Sequence, residues 1–453
     1  MNLTKTLAEF LVPLGRQPGS IPPEVMEKAR VSLLNGYGIG LACYGTPYAE
    51  VAARAALAAH GEQTQGATLL ADGRKTSLLG AALANSALFH GRAQEDASGA
   101  AHLGGILIPL LTAAAETRRM PLERLLPALI AGYEVGGLLE SAYAAYTTPP
   151  GLRSSTIYGA PAAAAASSVA LGLDVEQTAA ALANAASFAG GILQSFADGT
   201  DEWRYQLGMT AQNGWLAAEL ARAGSVSAPH AIEGKCGFVR AFARTDCDAP
   251  ALAAQIGKTW FTHRVVFKPY PVCAFNQTPV NAALKLRERL DGKTPRRIRV
   301  HMNPYETGYA GMDSKGPFHS VSSTLMSIPF CIANTLLHGA PTLRDMMVYD
   351  DPDVAVLIAR TDLVSDPGVA VLSCVIEADM ENGETVTEPL VMTANDYNYS
   401  RPQLRALIER VCAEVDVSAA ACRELERFVD DPAGVGLPVV LNQFAQLRER
   451  KAT

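Results

Sequence analysis

The sequence predicts a mainly helical protein in which a large all-helical domain carries a smaller, inserted α+β domain. The chain has 453 residues, and because a single hydrophobic core stops growing at about 250 to 300 residues, two domains are expected. Helical periodicity dominates up to about residue 224, strand-like alternation begins after Trp260, and amphipathic helices return near the end. We therefore assign 1–257 and 395–453 to the helical domain and 258–394 to the α+β domain.

The first part of the chain consists of segments with helical spacing and very few charges. The segment EVMEKARVSLLNGYGIGLACYG places apolar residues at Val25, Ala29, Val31, Leu34 and Ile39. The segments SLLGAALANSALFHGRAQ, LPALIAGYEVGGLLESAYAAY, APAAAAASSVALGL and DVEQTAAALANAASFAGGIL follow. Helices that lack a polar face are buried on most sides, so these segments predict the interior of a helical bundle.

The predicted α+β domain contains both strand and helix patterns. RRIRVHMNP alternates as a strand does, with Ile298, Val300 and Met302 on one face. VAVLSCVIEADMENGETVTEPLVMTA contains two strand-like runs joined at Asn382-Gly383, which predicts a hairpin whose two turn residues both have positive φ. Helices are predicted for SSTLMSIPFCIANTLLHG and DPDVAVLIARTDL, and, in the last domain segment, for RPQLRALIERVCAEV and SAAACRELERFV.

Composition excludes several classes of partner. The net charge of -7 is spread along the chain without a basic stripe, so nucleic acid and anionic membranes are poor partners. Eight scattered cysteines without CxxC pairs are typical of free thiols in a reducing compartment. The N-terminus MNLTKTLAEFLVPLG does not fit a signal peptide, and no uncharged apolar run is long enough to span a bilayer. A cytoplasmic location is expected.

Motifs for cofactors are missing from the sequence. The Gly-rich stretches GYGIG and GGIL lie inside helical patterns and lack the strand and the acidic residue of a nucleotide site. There is no GxSxG elbow, and the histidines show no metal-ligand spacing. The sequence therefore predicts an enzyme that needs neither metal nor cofactor.

Four polar clusters in apolar surroundings are candidates for chemistry. The first, QEDASGAAHLGG, places Glu95, Asp96 and His102 before an apolar helix, where His102 could carry a proton. The alternative is that Asp96 caps the helix and His102 is an ordinary surface residue.

The second and third clusters supply cations. GLRSSTIYGAP places Arg153 and Tyr158 at the start of an Ala-rich helix, where a carboxylate could bind, although capping explains its hydroxyls equally well. ADGTDEWRYQLG contains Trp203, Arg204 and Gln206 before another apolar helix, and its charges could instead pair locally at the surface.

The fourth cluster is THRVVFKPYPVCAFNQTPVNAALKL. Here Pro269 and Pro271 hold an extended path beside Lys268, which could place this lysine in a cleft between domains. The alternative is a surface lysine whose aliphatic stem covers apolar neighbours.

Together these segments resemble the MmgE/PrpD family, whose members include 2-methylcitrate dehydratase, cis-aconitate decarboxylase and iminodisuccinate epimerase. The strongest match is FKPYPVCAFNQTPVNAA, similar to the family's KPYP-Cys segment, and AQNGWLAAEL and IEGKCGFVRAF resemble two further family segments. The resemblance spans nearly the whole chain. It implies a helical domain with a smaller α+β domain, a homodimer, and an active site in the cleft between the domains.

The resemblance carries over residue by residue, with departures. Glu95 and Asp96 match the paired acids of the family's DFDDTH motif, His102 matches the later histidine, and Lys268 and Tyr270 match KPYP. Six positions depart from the family pattern. In the acidic motif, Ala93, Ala97 and Leu103 stand in place of an aspartate, a threonine and a proline. Elsewhere Arg153 stands in place of a histidine, and Trp203 and Gln206 stand in place of a lysine and a histidine. The family pattern thus predicts a modified pocket.

The resemblance implies proton transfer at carbon beside a carboxylate. Within it, His102, Asp96 and Lys268 are the predicted catalytic residues, with His102 as proton carrier and Asp96 orienting it. The predicted substrate-binding residues are Arg153, Arg204, Glu95, Trp203, Gln206, Tyr158 and Tyr270. The predicted function is a lyase, dehydrating or decarboxylating a small di- or tricarboxylic acid. An isomerase or epimerase using the same proton abstraction, and a non-catalytic member that binds an anion or a partner, are the alternatives.

Overall fold

A computed structural model describes residues 2–452. Its first half is a bundle of ten α-helices, with one short hairpin between the third and fourth. They are α1 (Leu3–Arg16), α2 (Pro23–Ala42), α3 (Pro47–His60), strands β1 (Ala67–Thr68) and β2 (Lys75–Thr76), α4 (Leu78–Phe89), α5 (Gly104–Glu116), α6 (Leu125–Thr147), α7 (Ser154–Leu171), α8 (Val175–Phe188), α9 (Gln194–Asp198) and α10 (Glu202–Arg222).

Helix α7 is the centre of this bundle. Every residue from 154 to 170 is buried, and α7 packs against α5, α6, α8 and α10. Its run of alanines suits this position, because small side chains let neighbouring helices approach closely. At the crossing with α10, a Cβ atom added to Gly214 would lie 2.3 Å from the Cβ of Ala163, so this crossing requires glycine.

The second half begins with short helices, continues through a four-stranded sheet and ends in helices. Its elements are α11 (Ala249–Ala253), α12 (Gln277–Leu290), β3 (Arg297–Met302), α13 (Pro304–Thr307), α14 (Val321–Thr324), α15 (Ile328–His338), α16 (Leu343–Met346), α17 (Pro352–Arg360), β4 (Thr361–Ser365), β5 (Cys374–Asp379), β6 (Thr385–Leu390), α18 (Arg401–Ala413), α19 (Ala419–Asp430), α20 (Pro432–Val435) and α21 (Pro438–Ala452). The strand order is β4-β3-β5-β6.

The sheet is mixed. Strand β3 runs parallel to β4 and antiparallel to β5, with Val300 opposite both Leu363 and Ile376, and β5 and β6 form the predicted antiparallel pair. Ile298 and Met302 are buried together with Val300, as their alternation predicts. Helices α12 and α15 pack against this sheet, so the fold class, mainly α with a smaller α+β region, is confirmed.

Three local predictions were wrong. The β5–β6 connection is longer than two residues: the N–H of Met380 donates to the carbonyl of Glu384, and Gly383 has a φ of +83°, whereas Asn382 is not among the positive-φ residues. The helix predicted for 351–363 ends at Arg360, and the following residues form β4. The helix predicted for 77–94 ends at Phe89.

Two large hydrophobic cores result. One contains residues between 3 and 267 together with residues between 404 and 447, so the C-terminal helices pack on the first bundle, with α18 and α19 against α2. The other consists mainly of residues between 270 and 380. The domain boundaries at 257 and 394 remain a prediction. In the described chain no helix is both long and apolar enough to cross a bilayer.

Candidate active site

The loop between α4 and α5, residues 90–103, is anchored to both neighbouring parts of the chain. Ala97 exchanges two main-chain hydrogen bonds with Val266, at 2.9 and 2.8 Å, which joins this loop to the segment leading to the KPYP sequence. The N–H of Ala100 donates to the Glu140 carboxylate of α6 at 2.8 Å. The loop is therefore held in one position on the bundle.

His102, on this loop, is fixed in a single orientation. Its main-chain N–H donates to Ser155 Oγ at 3.0 Å. Its ring Nδ1 lies 2.9 Å from the main-chain oxygen of Asp96 and 3.1 Å from Glu95 Oε1. Both neighbours are acceptors, so Nδ1 carries the ring hydrogen and Nε2 has the free lone pair. Burial, with the nearby Lys268 ammonium, holds the pKa of His102 well below its usual value, so the ring is neutral.

Glu95 is the charged centre of the site. Its Oε1 also lies 3.1 Å from Lys268 Nζ, and its Oε2 lies 2.8 Å from His90 Nδ1. Burial would raise the pKa of this carboxyl, but His90, Lys268 and His102 outweigh burial and hold the pKa well below its usual value. Glu95 is thus an ionised group that touches two of the predicted catalytic residues, His102 and Lys268.

His90 was not predicted, and it links Glu95 to Arg153. Its Nε2 lies 2.7 Å from a terminal nitrogen of Arg153, and because a guanidinium only donates, Nε2 is the acceptor and Nδ1–H faces Glu95. Burial lowers the pKa of His90 to about 4, against the opposing effect of Glu95. The sequence feature that could have indicated His90 is a single titratable side chain at the end of the apolar segment that forms α4.

The predicted role of Asp96, which is to orient or tune His102, stays a prediction. Its carboxylate accepts the N–H of Gly104 at 2.9 Å and the hydroxyl hydrogen of Tyr133, so it caps α5, as the alternative interpretation held. Its contact with His102 runs through the main-chain oxygen. Burial raises the pKa of Asp96 to about 6. The side chain that meets the His102 ring is that of Glu95.

Arg153, Trp203 and Gln206 form one wall beside His90. The Arg153 guanidinium donates to the main-chain oxygen of Trp203 and, at 3.1 Å, to Gln206 Oε1. The Trp203 ring meets the His90 ring edge-on at 4.5 Å between centroids. Arg153 therefore contacts both Trp203 and Gln206, two other residues at which the chain departs from the family pattern.

Arg204 lies outside this group. Its guanidinium stacks between the rings of Tyr48, at 3.6 Å, and Trp203, at 3.9 Å. It also donates to Ser322 Oγ of α14, and its side chain is fully buried. This cation joins α10 to the smaller domain, and no contact with His102, Glu95 or Lys268 occurs in the described residues.

The two predicted tyrosines also lie apart from the Glu95 cluster. The Tyr158 hydroxyl pairs with Thr147 Oγ1 at 2.8 Å. The Tyr270 hydroxyl donates to Asn281 Oδ1 at 3.0 Å. The structure thus brings together Glu95, His102, Lys268 and Arg153, with Trp203 and Gln206 beside Arg153, but not Arg204, Tyr158 or Tyr270.

A cleft of about 710 Å³ opens beside the cluster, between the two hydrophobic cores. We name it the Lys268 cleft; its walls include Glu140, Trp260, Arg264, Lys268, Phe275 and Tyr305. Within residues 2–452, no three His, Cys, Asp or Glu side chains are grouped as metal ligands.

Comparison with known proteins identifies the family of the chain. Residues 5–249 match the MmgE/PrpD N-terminal domain and residues 270–390 match the MmgE/PrpD C-terminal domain. The chain is 28% identical over 422 residues to the cis-aconitate decarboxylase-like protein oryM of Aspergillus oryzae, covering 86% of each chain. It is 24% identical over 403 residues to a cis-aconitate decarboxylase of Aspergillus terreus, covering 81% of each. The chain therefore belongs to the MmgE/PrpD family.

Proposed function

We propose that this chain is a cofactor-independent lyase that removes water or carbon dioxide from a small di- or tricarboxylic acid. The observation that carries the proposal is the state of His102. Its ring is neutral, its Nδ1–H is held by acceptors, and its Nε2 lone pair has no hydrogen-bond partner among the described residues. A neutral imidazole in a fixed orientation suits a general base.

Lys268 supplies the charge that such a substrate needs. An ammonium has three hydrogens, and the one hydrogen bond that Lys268 Nζ makes within residues 2–452 goes to Glu95. The remaining hydrogens are free for a substrate carboxylate, and Lys268 lines the cleft. Neutralising that carboxylate makes the hydrogen on the neighbouring carbon more acidic.

The chemistry balances with His102 and solvent protons. In dehydration, His102 Nε2 takes the proton from carbon, the electron pair of that bond forms the carbon–carbon double bond, and the departing hydroxide takes the proton back from the His102 imidazolium and leaves as water. In decarboxylation, the carbon–carboxylate bond breaks, carbon dioxide leaves, and the carbon that keeps the electron pair takes a solvent proton carried by His102 Nε2. The relatives named as cis-aconitate decarboxylase and decarboxylase-like protein support this class of reaction.

The test is an assay in deuterated water with cis-aconitate and with 2-methylcitrate. We expect loss of carbon dioxide from the first or of water from the second, with one solvent deuterium in the decarboxylated product. Deuterium in recovered or epimerised substrate, without loss of either small molecule, would identify an isomerase and overturn the lyase. No exchange and no turnover with any polycarboxylate would favour a non-catalytic family member.

A further inference from the structure

We infer that the acid taken by this site carries an apolar substituent of several carbons, which lies in the Lys268 cleft while its carboxylates remain at Lys268. The inference rests on the proposed function, since it names the class of substrate for that site. It comes from the size and lining of the cleft.

Lys268 and the loop at 90–103 place the cleft next to the catalytic cluster. Lys268 contacts Glu95 through Nζ and also lines the cleft. The loop that carries Glu95 and His102 contributes Ala97, Gly99 and Ala100 to the same wall. A ligand with one carboxylate on Lys268 therefore has its remaining atoms within reach of this space.

The cleft is larger than a compact acid such as cis-aconitate would fill. At about 710 Å³ it lies within the roughly 300–1,000 Å³ of sites that enclose drug-sized ligands. A molecule such as cis-aconitate, with only six carbons, is much smaller than those ligands. Unfilled apolar space next to the reacting groups would leave water beside them, so a larger substrate matches this site better.

A large part of the cleft wall is apolar. Trp260, Phe267, Phe275, Val371 and Leu372 line it, together with polar side chains such as Gln277, Asn395 and Asn398. The carbon surfaces of the apolar side chains offer no hydrogen bond to a second carboxylate. They suit an alkyl chain, whose burial is favourable in proportion to its apolar area.

The charges at the cleft select for an anion. Lys258 and Arg264 line it besides Lys268. Glu140 is the one carboxylate among the lining residues that the structure describes, and it is buried with the N–H of Ala100 as its partner. The cleft thus combines a cationic rim with apolar walls, as an amphipathic acid requires.

The test uses cis-aconitate and its methyl-, propyl- and hexyl-substituted homologues with the full chain. We expect the calorimetric dissociation constant to fall about fourfold for each added methylene, since each methylene is buried. We expect kcat/KM to rise in parallel. A dissociation constant that does not change with chain length overturns this inference alone, whereas absence of turnover with every homologue overturns the proposed function.

A matched pair of variants places the chain in the cleft. Ala394 is exposed and lines the cleft, so Ala394→Trp should remove the gain in affinity from the longer substituents. Ala355 is equally exposed but lies on α17, away from the cleft, so Ala355→Trp should leave the whole series as in the wild type. Equal affinities of the two variants for the hexyl homologue would contradict the placement of the substituent in the Lys268 cleft.

Discussion

Glu95 is a carboxylate with only 2% of its side chain exposed, and this burial explains why three basic groups surround it. An ionised carboxylate away from water is costly unless its oxygens are paired. Here one oxygen faces Lys268 and His102, and the other faces His90. The Glu95 carboxylate, whose charge must be paired for the chain to fold, therefore also fixes the orientation of the His102 ring.

His102→Ala should abolish activity without unfolding the protein. Removing a general base typically lowers turnover by about 10² to 10⁴-fold. The ring is 17% exposed and contributes little to the core, so the melting temperature should shift by no more than about 2 °C. His230→Ala is the control, because that ring is 59% exposed and pairs with Glu233. Retained activity in His102→Ala would remove His102 from the proton transfer.

The pH dependence follows from the lowered pKa of His102. The base works only when unprotonated, and its pKa is held well below the usual value. Activity should therefore persist as the pH falls to about 6.5, the ordinary histidine value, and decline only at lower pH. Nuclear magnetic resonance titration of the His102 ring measures this directly.

Lys268→Met tests why the pKa of His102 is lowered. The ammonium of Lys268 lowers the pKa of His102, so its removal should move the titration of the ring towards higher pH. An unchanged titration would mean that burial alone sets the protonation state of His102.

Glu95→Gln should lower the free energy of unfolding by roughly 3 kcal/mol, because it leaves Lys268 as a buried, unpaired cation. Chemical denaturation measures this change. Glu50→Gln is the matched control: it breaks a pair with Arg54 in which the side chains are 71% and 63% exposed, and should cost less than about 0.5 kcal/mol. Similar losses in the two variants would show that the Glu95 cluster is no more than a surface ion pair.

Among the elements, the loop at 90–103 shows where periodicity alone fails. The residues from 77 to 94 carry a helical pattern, yet α4 ends at Phe89, and Ala93 adopts a left-handed φ of +51°. The helix end is decided by partners distant in sequence, such as Val266 for Ala97 and Glu140 for Ala100. The spacing of apolar residues within one segment carries no information about contacts with such distant residues. Strand β4 escaped prediction for a similar reason, since it pairs with β3 across about 60 residues.

Gly214→Ala should destabilise the bundle by about 1–3 kcal/mol, because the new methyl group would overlap Ala163 at the crossing of α7 and α10. Gly19→Ala is the control, since no atom lies within 4 Å of the Cβ it would gain. Urea denaturation of both variants measures the difference. If the two glycines tolerate alanine equally, the close crossing is not a requirement of the fold.

At the scale of the whole molecule, the last helices complete the first core. Phe444 of α21 is fully buried and stacks on Phe89 of α4 at 6.2 Å between ring centroids. Ile408 of α18 fills the space above Gly38 of α2. The residues of this core therefore come from two parts of the chain, 3–267 and 404–447, which the smaller domain separates in sequence. In the folded protein the two parts pack together.

Phe444→Ala should cost about 3–5 kcal/mol in the free energy of unfolding, because it leaves a cavity in that shared core. Phe188→Ala, at a side chain that is 38% exposed, should cost much less. Chemical denaturation distinguishes them. A loss at Phe444 no greater than at Phe188 would mean that the C-terminal helices do not stabilise the first bundle.

The sequence by itself determined the fold class, the resemblance to the family and the positions of Glu95, His102 and Lys268, because periodicity and contiguous motifs are local properties of the chain. Only the tertiary structure decided which carboxylate meets the His102 ring, that His90 joins the site, and that Arg204 lies outside it. The placement of Arg204 and Lys268 depends on contacts between distant segments, since Arg204 pairs with Ser322 118 residues away and Lys268 with Glu95 173 residues away. The contacts of Glu95 with His90 and His102 depend on the path of the loop at 90–103. Contacts of that kind follow from packing and charge pairing in the whole molecule.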